Sequence, residues 1–307
     1  MRLRPLGQSG LHVSALGFGA ASLWGMPFYD EAEAHRVLRS GLEAGMTYVD
    51  TGPTYSRGNA EPRLGRFLST WPDRDRLVLS TKAGTRMGRF GRLAKDFSPA
   101  WIRASVEASL GRLGLERLPL LLLHGPRVED MTPALLDALA ALRHQGRVTA
   151  VGINSFDTEV LERIPDWPGI SVALLDYNLL RLDREPLIDR LASAGIGILA
   201  GEPLAQHVFT ARPLRLRSAR DLWYLARALR RRPADLALSR RYAFMQGQPE
   251  GTPAQLALAF VLANRHVASA VFSTTRVGHL QENLCAADLA LSDDLARKIK
   301  HAGLVHA

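Results

Sequence analysis

The sequence predicts an α/β fold of the (β/α)8 TIM barrel class. Eight short apolar runs alternate along it with amphipathic helical stretches, and repeated strand–helix alternation implies a parallel sheet with right-handed crossovers. The ionisable residues Asp50, Lys82 and His124 each end such a run. A charge at the end of a buried strand is costly unless it is paired or put to use. The Gly-x-Gly-x-x-Gly fingerprint of an open nucleotide-binding sheet is missing after the first strand. Eight units then favour closure into a barrel, in which the C-terminal strand ends form the active face.

The elements follow in order. An N-terminal extension ends near Pro5, and strands are expected at 15–19, 47–51, 77–82, 120–124, 150–154, 171–176, 197–200 and 270–273. Each is a short, mostly apolar run of the kind that is buried on both faces of a parallel sheet. Helices are expected at 30–44, 60–68, 99–113, 132–145, 157–164, 184–194 and 253–263. Ser98-Pro99 and Thr252-Pro253 place a capping hydroxyl before a proline at the first helical position. The interval 206–251 breaks the rhythm after the seventh strand: it is arginine-rich, with a helix expected at 221–232, and reads as a long loop on the active face. A last helix is expected at 292–303. Barrels of this kind commonly take about 250 residues, so the 307 residues read as one domain with extensions.

Composition narrows the class. Apolar content of 47% and charged content of 22% are those of an ordinary soluble globular protein. The single cysteine, Cys285, excludes an intrachain disulfide and a cysteine-built metal site, and fits a reducing compartment. Neither a signal-peptide apolar core at the start nor a bilayer-length apolar stretch is evident, so a cytoplasmic location with no membrane partner is expected. The net charge of +9 comes from basic residues that are scattered, except for a cluster between Arg212 and Arg241. A scattered excess reads as a solvated surface, so no nucleic-acid partner is expected. Of the 39 basic residues only four are lysine: Lys82, Lys95, Lys298 and Lys300. A chain that uses arginine almost everywhere, yet ends a buried-type strand in Lys82, points to a need for a compact amine whose pKa can shift.

Three strand-end groups and Tyr55, five residues past the second strand, bring carboxylate, ammonium, imidazole and phenol toward one barrel mouth. Singly, each has a plain structural reading: a capping Asp, a snorkelling Lys, a satisfied His, a rim Tyr. Together they make a proton-transfer device, which points to an enzyme.

The segment Gly45-Met-Thr-Tyr-Val-Asp50-Thr-Gly-Pro-Thr-Tyr55 through Glu61 and Leu64-Gly65 resembles the aldo-keto reductase signature. Ser80-Thr81-Lys82, Leu122-Leu123-His124, Gly146-Arg147-Val148, Gly152-Ile153-Asn154-Ser155-Phe156, Tyr177-Asn178-Leu179-Leu180 and Ser273-Thr274-Thr275-Arg276 with Glu282-Asn283 are similar to that superfamily in the expected order. The resemblance spans nearly the whole chain. It implies a barrel that reduces an aldehyde or ketone with a nicotinamide cofactor, or runs the reverse oxidation as an alcohol or aldose dehydrogenase. In the implied roles Tyr55 is the general acid, Lys82 its modulator, Asp50 the partner of Lys82, and His124 the group that polarises and positions the carbonyl. The chemistry agrees: a free phenol, with a pKa of about 10, is a sluggish acid at neutral pH, and a neighbouring ammonium stabilises its phenolate.

The resemblance also implies that Ser273, Thr274 and Arg276 hold the phosphate on the adenosine ribose, which favours NADP(H) over NAD(H), with no metal. His279, Glu282 and Asn283 would flank the adenine, and Asn154 and Ser155 the carboxamide. Two departures fall at the nicotinamide end. Relatives usually have Gln where Leu174 stands and often an aromatic residue where Gly201 stands, and the Asn154-Ser155 pair is inverted. Trp24, Phe28 and Arg86, with Phe90, Arg127 and His207, lie on loops that could line a pocket for a small carbonyl or alcohol substrate. Leu174 and Gly201 also lend support to a second reading, a cofactor-binding regulatory or sensor protein on the same barrel with little turnover.

Overall fold

A computed structural model of the chain describes residues 1–88, 92–205 and 240–304. Eight parallel strands close into a barrel: β1 (Leu16–Gly19), β2 (Tyr48–Asp50), β3 (Val78–Ala83), β4 (Leu118–His124), β5 (Val148–Asn154), β6 (Ile170–Asp176), β7 (Gly197–Gly201) and β8 (Val267–Phe272). Each strand pairs with its neighbour in sequence, and β8 returns to pair with β1. The expected fold class is the observed one.

Strand alternation sends every second side chain inward. Tyr48, Leu120, Leu122, Ala150, Val172, Leu174 and Leu199 fill the lumen, joined by Leu6 from the N-terminal extension. That extension is a two-stranded antiparallel hairpin, Leu3–Pro5 against His12–Ser14, which meets the barrel where the Gln8 backbone N–H donates to the Gly195 carbonyl at 2.8 Å. The other parity of the strands packs against the helices in one continuous apolar shell.

The helices α1 (Glu31–Glu43), α2 (Ala60–Leu68), α3 (Pro99–Leu113), α4 (Pro133–His144), α5 (Thr158–Glu162), α6 (Glu185–Ser193) and α7 (Pro253–Ala263) stand close to the expected positions. α8 (Val277–Leu284) follows the last strand, and α9 (Asp293–Leu304) is the expected C-terminal helix. Side-chain caps begin several of them: Asp30, Ser98, Thr132, Asp157 and Thr252 each accept a first-turn backbone N–H. Two features differ from expectation. The strands β4, β5 and β8 start earlier than the apolar runs do, because Pro119, Thr149 and Ser269 interrupt those runs without leaving the sheet. The loop after β3 is also structured, as a hairpin of Thr85–Met87 against Leu93–Lys95. Most of the interval 206–251, with the helix expected at 221–232, lies outside the described residues. No helix among the described residues is long and apolar enough to cross a membrane.

Candidate active site

Asp50, Lys82 and His124 stand on the inward parity at the C-terminal ends of β2, β3 and β4. In the β2–β3 pairing Asp50 lies opposite Ser80, one inward position below Lys82. The Lys82 ammonium donates to both carboxylate oxygens of Asp50, at 2.6 and 2.7 Å, and to the Thr51 carbonyl at 2.8 Å. Ser80 Oγ donates to Asp50 Oδ1 at 2.6 Å, and the Tyr48 hydroxyl meets Ser80 Oγ at 2.9 Å. Lys82 is 1% exposed and Asp50 6%. Burial works against the ammonium, yet the Asp50 charge and the Tyr55 phenol outweigh it and hold Lys82 above its ordinary pKa. Lys82 is therefore a fixed cation.

Tyr55 sits on a short turn, Tyr55–Gly58, in which Ser56 and Arg57 take left-handed backbone angles of φ 53° and 61°. Such angles are costly for residues with side chains and persist only where surrounding contacts impose them. Here the contacts are visible. Ser56 Oγ donates to the Ser22 carbonyl at 2.7 Å, and Asn59 Nδ2 to the Gly25 carbonyl at 2.8 Å. The buried Arg63 guanidinium holds the Trp24 and Tyr29 carbonyls at 2.5 and 2.8 Å. The turn is thus fastened to the loop after β1, and it sets the phenol above Lys82, whose Nζ lies 4.7 Å from the ring centre.

The Tyr55 and His124 rings meet edge to face, 5.8 Å between centroids. Both are only partly buried, so the two accessible groups sit over the two sealed ones. Burial, then the charges of Lys82 and Lys95, lower the His124 pKa to about 3, which leaves a neutral imidazole. Lys95 reaches in from the hairpin, donating to Thr85 Oγ1 at 3.0 Å and to the His124 main-chain carbonyl. Tyr55 departs from the sequence expectation. Burial, aided by the Asp50 charge, raises its pKa despite the opposing Lys82 ammonium, so the phenol keeps its proton.

The expected cofactor residues group at two places. At the end of β5, Asn154 Nδ2 donates to the Leu174 carbonyl at 3.2 Å, which leaves its carbonyl oxygen as an acceptor for an amide. Ser155 Oγ accepts the Asp157 N–H at 3.1 Å. After β8, Arg276 is the N-cap residue of α8 and provides no side-chain cap, so the first-turn N–H groups are open to an anion. A Cβ at Gly278 would meet nothing within 4 Å. Exposed Arg276 beside open backbone donors fits a phosphate. Ser273 instead donates to the Gly19 carbonyl, and Thr274 Oγ1 accepts the Arg276 N–H at 3.3 Å. Glu282 accepts from Thr252 Oγ1 at 2.7 Å, Asn283 is buried, and His279 lies in the first turn of α8.

The pocket candidates divide. Trp24 is 1% exposed, donates its indole N–H to the Ala34 carbonyl at 2.8 Å and packs edge-on against Phe18. Its ring belongs to the packing beneath the loop, which argues against a substrate contact. Phe28 is 73% exposed on that loop. Arg86 stacks over Trp101 of α3 and lies 3.8 Å from Asp96, and Arg127 pairs with Glu129 and Asp130. Phe90 and His207 fall outside the described residues. The sequence reading missed Tyr48 and Ser80, although a signal was present: each stands two residues before Asp50 or Lys82, on the same strand face.

Comparison with known proteins places the chain. Residues 15–303 match the model of the aldo/keto reductase family, and the chain belongs to that family. It is 32% identical to an L-glyceraldehyde 3-phosphate reductase of Escherichia coli over a 312-residue alignment covering 93% of this chain and 87% of the relative. It is 29% identical to an L-galactose dehydrogenase of Arabidopsis thaliana, over 93% and 88% of the two chains. Among solved structures, an aldo-keto reductase of Bacillus halodurans in its holo form superposes with a TM-score of 0.81 at 26% identity, over 98% of this chain and 96% of its own.

Proposed function

We propose that the protein reduces an aldehyde or ketone to an alcohol, or runs the reverse oxidation, with Tyr55 as general acid and NADP(H) as the preferred cofactor. The observation that carries this reading is the buried Lys82–Asp50 pair lying directly beneath an accessible, protonated phenol. Reduced nicotinamide, when bound, supplies the hydride for the carbonyl carbon. Negative charge then builds on the carbonyl oxygen and needs donors close by. The neutral imidazole of His124 offers one and orients the oxygen. Tyr55 delivers its proton to that oxygen, and the fixed Lys82 charge stabilises the phenolate left behind. Asp50 keeps the ammonium charged and in place. A proton from solvent restores the phenol.

Arg276 and the open α8 N-terminus support NADP(H), and the amide acceptor of Asn154 suits the carboxamide. Two relatives carry names of sugar chemistry, an L-galactose dehydrogenase and an L-glyceraldehyde 3-phosphate reductase, so sugar aldehydes belong in the first substrate panel beside aromatic ones. The test is loss of reduced-nicotinamide absorbance with NADPH and with NADH across that panel. Turnover with preference for NADPH is expected, and Arg276→Ala should remove the preference. Quenching of NADPH fluorescence without turnover of any carbonyl would instead favour a sensor or regulatory role.

A further inference from the structure

Beneath the four groups of the candidate site lie two polar side chains, Tyr48 and Ser80, that none of the proposed steps uses. Tyr48, Ser80, Asp50 and Lys82 follow one another up the inside of the barrel, with exposures of 0%, 0%, 6% and 1%. The direction of the line follows from counting hydrogens. Ser80 has a single hydroxyl hydrogen, and it goes to Asp50 Oδ1 at 2.6 Å, because an ionised carboxylate only accepts. Ser80 Oγ then faces Tyr48, 2.9 Å away, as an acceptor, so the Tyr48 phenol must donate. Burial, with the Asp50 charge behind it, holds the Tyr48 pKa well above 10, so this donor is always present.

We propose that Tyr48 and Ser80 are positioning residues: a one-way chain of hydrogen bonds from Tyr48 through Ser80 fixes the Asp50 carboxylate that carries Lys82 beneath Tyr55. The barrel is built to admit the ring. A Cβ at Gly17, which pairs with Tyr48 across β1 and β2, would come within 2.4 Å of Tyr48 Cδ1. Phenylalanine would fill that space equally well; the hydroxyl has its use at Ser80. A carboxylate sealed from water needs its lone pairs occupied, and donors arranged in series polarise one another. Without Ser80, the Lys82 ammonium is the one side-chain donor left to Asp50 among the described residues, and the carboxylate holds Lys82 less firmly at its place 4.7 Å from the Tyr55 ring.

The kinetic part of this inference rests on the proposed function; the structural part does not. Because the chain has only four lysines, a lysine-labelled sample gives at most four ammonium resonances, and loss of one in Lys82→Met assigns the buried one. The experiment compares wild type, Tyr48→Phe, Ser80→Ala and the double variant by hydrogen exchange at Lys82 Nζ, and by kcat, KM and the pH profile with an aldehyde. Exchange should quicken about 3-fold in Tyr48→Phe and about 10-fold in Ser80→Ala, the double variant matching Ser80→Ala, since members of one chain are not additive. kcat should fall in the same order with KM unchanged. Wild-type exchange in both single variants, or effects that multiply in the double, would overturn the chain. A wild type that turns over no carbonyl would remove the proposed function, while the lysine signal alone would still decide the inference.

Discussion

Leu174 occupies the space that any side chain at position 201 would need. A Cβ built on Gly201 lies 2.9 Å from Leu174 Cδ2 and 3.3 Å from the Leu175 carbonyl oxygen. The two departures from the family pattern are therefore one structural fact: the lumen is filled from β6, and β7 has given way. Gly201→Phe should cost about 1–3 kcal/mol of stability by overpacking. Adding Leu174→Ala should recover most of that loss in denaturant unfolding. A Gly201→Phe variant as stable as wild type would show that the leucine yields freely.

The buried pair should behave as a unit. Asp50→Asn leaves an ammonium sealed from water with its counter-charge gone, as does Lys82→Met for the carboxylate, and each should cost about 3–5 kcal/mol. The double variant removes both charges and should lie well short of the summed losses, read from a double-mutant cycle in urea. Additive losses would mean that the two side chains do not hold each other.

His124 sets an acid limit on stability. Its folded pKa is depressed to about 3 against an ordinary 6.5, so between those values the unfolded chain binds a proton that the folded chain does not. Stability from this group is therefore complete above 6.5 and is lost as pH falls toward 3, with a slope of at most about 1.4 kcal/mol per pH unit. His124→Gln should flatten that part of the stability curve. An unchanged curve would place the acid sensitivity elsewhere.

Tyr55 and Lys82 set the opposite limit. Both are raised above their ordinary values of 10.0 and 10.5, so both keep their protons when free counterparts would lose them. The reductive rate should stay level through pH 10, the ordinary phenol value, and decline only above it. A decline centred near pH 7 would mean that some other group delivers the proton.

Much of this was legible in the sequence, for a physical reason. Strands buried on both faces are short apolar runs, so all eight stood out, and a charge at the end of such a run marks the mouth. Other features gave no such signal. The hairpin of Thr85–Met87 and Leu93–Lys95 is too short for a period to show. Trp24 looked like a pocket aromatic because its burial and its bond to Ala34 depend on the fold of the loop, not on its neighbours in sequence. The acidity of Tyr55 was misjudged for the same reason. Charge partners can be named from a sequence, whereas the desolvation that outweighs Lys82 belongs to the assembled mouth.

The most direct measurement is the single-turnover rate of reduced-nicotinamide oxidation by Tyr55→Phe, with cofactor affinity measured on the same protein. Loss of a general acid should slow the step by about 10²–10⁴-fold and leave the affinity for NADPH unchanged. A Tyr55→Phe protein that reduces the same aldehyde at close to the wild-type rate would contradict the account.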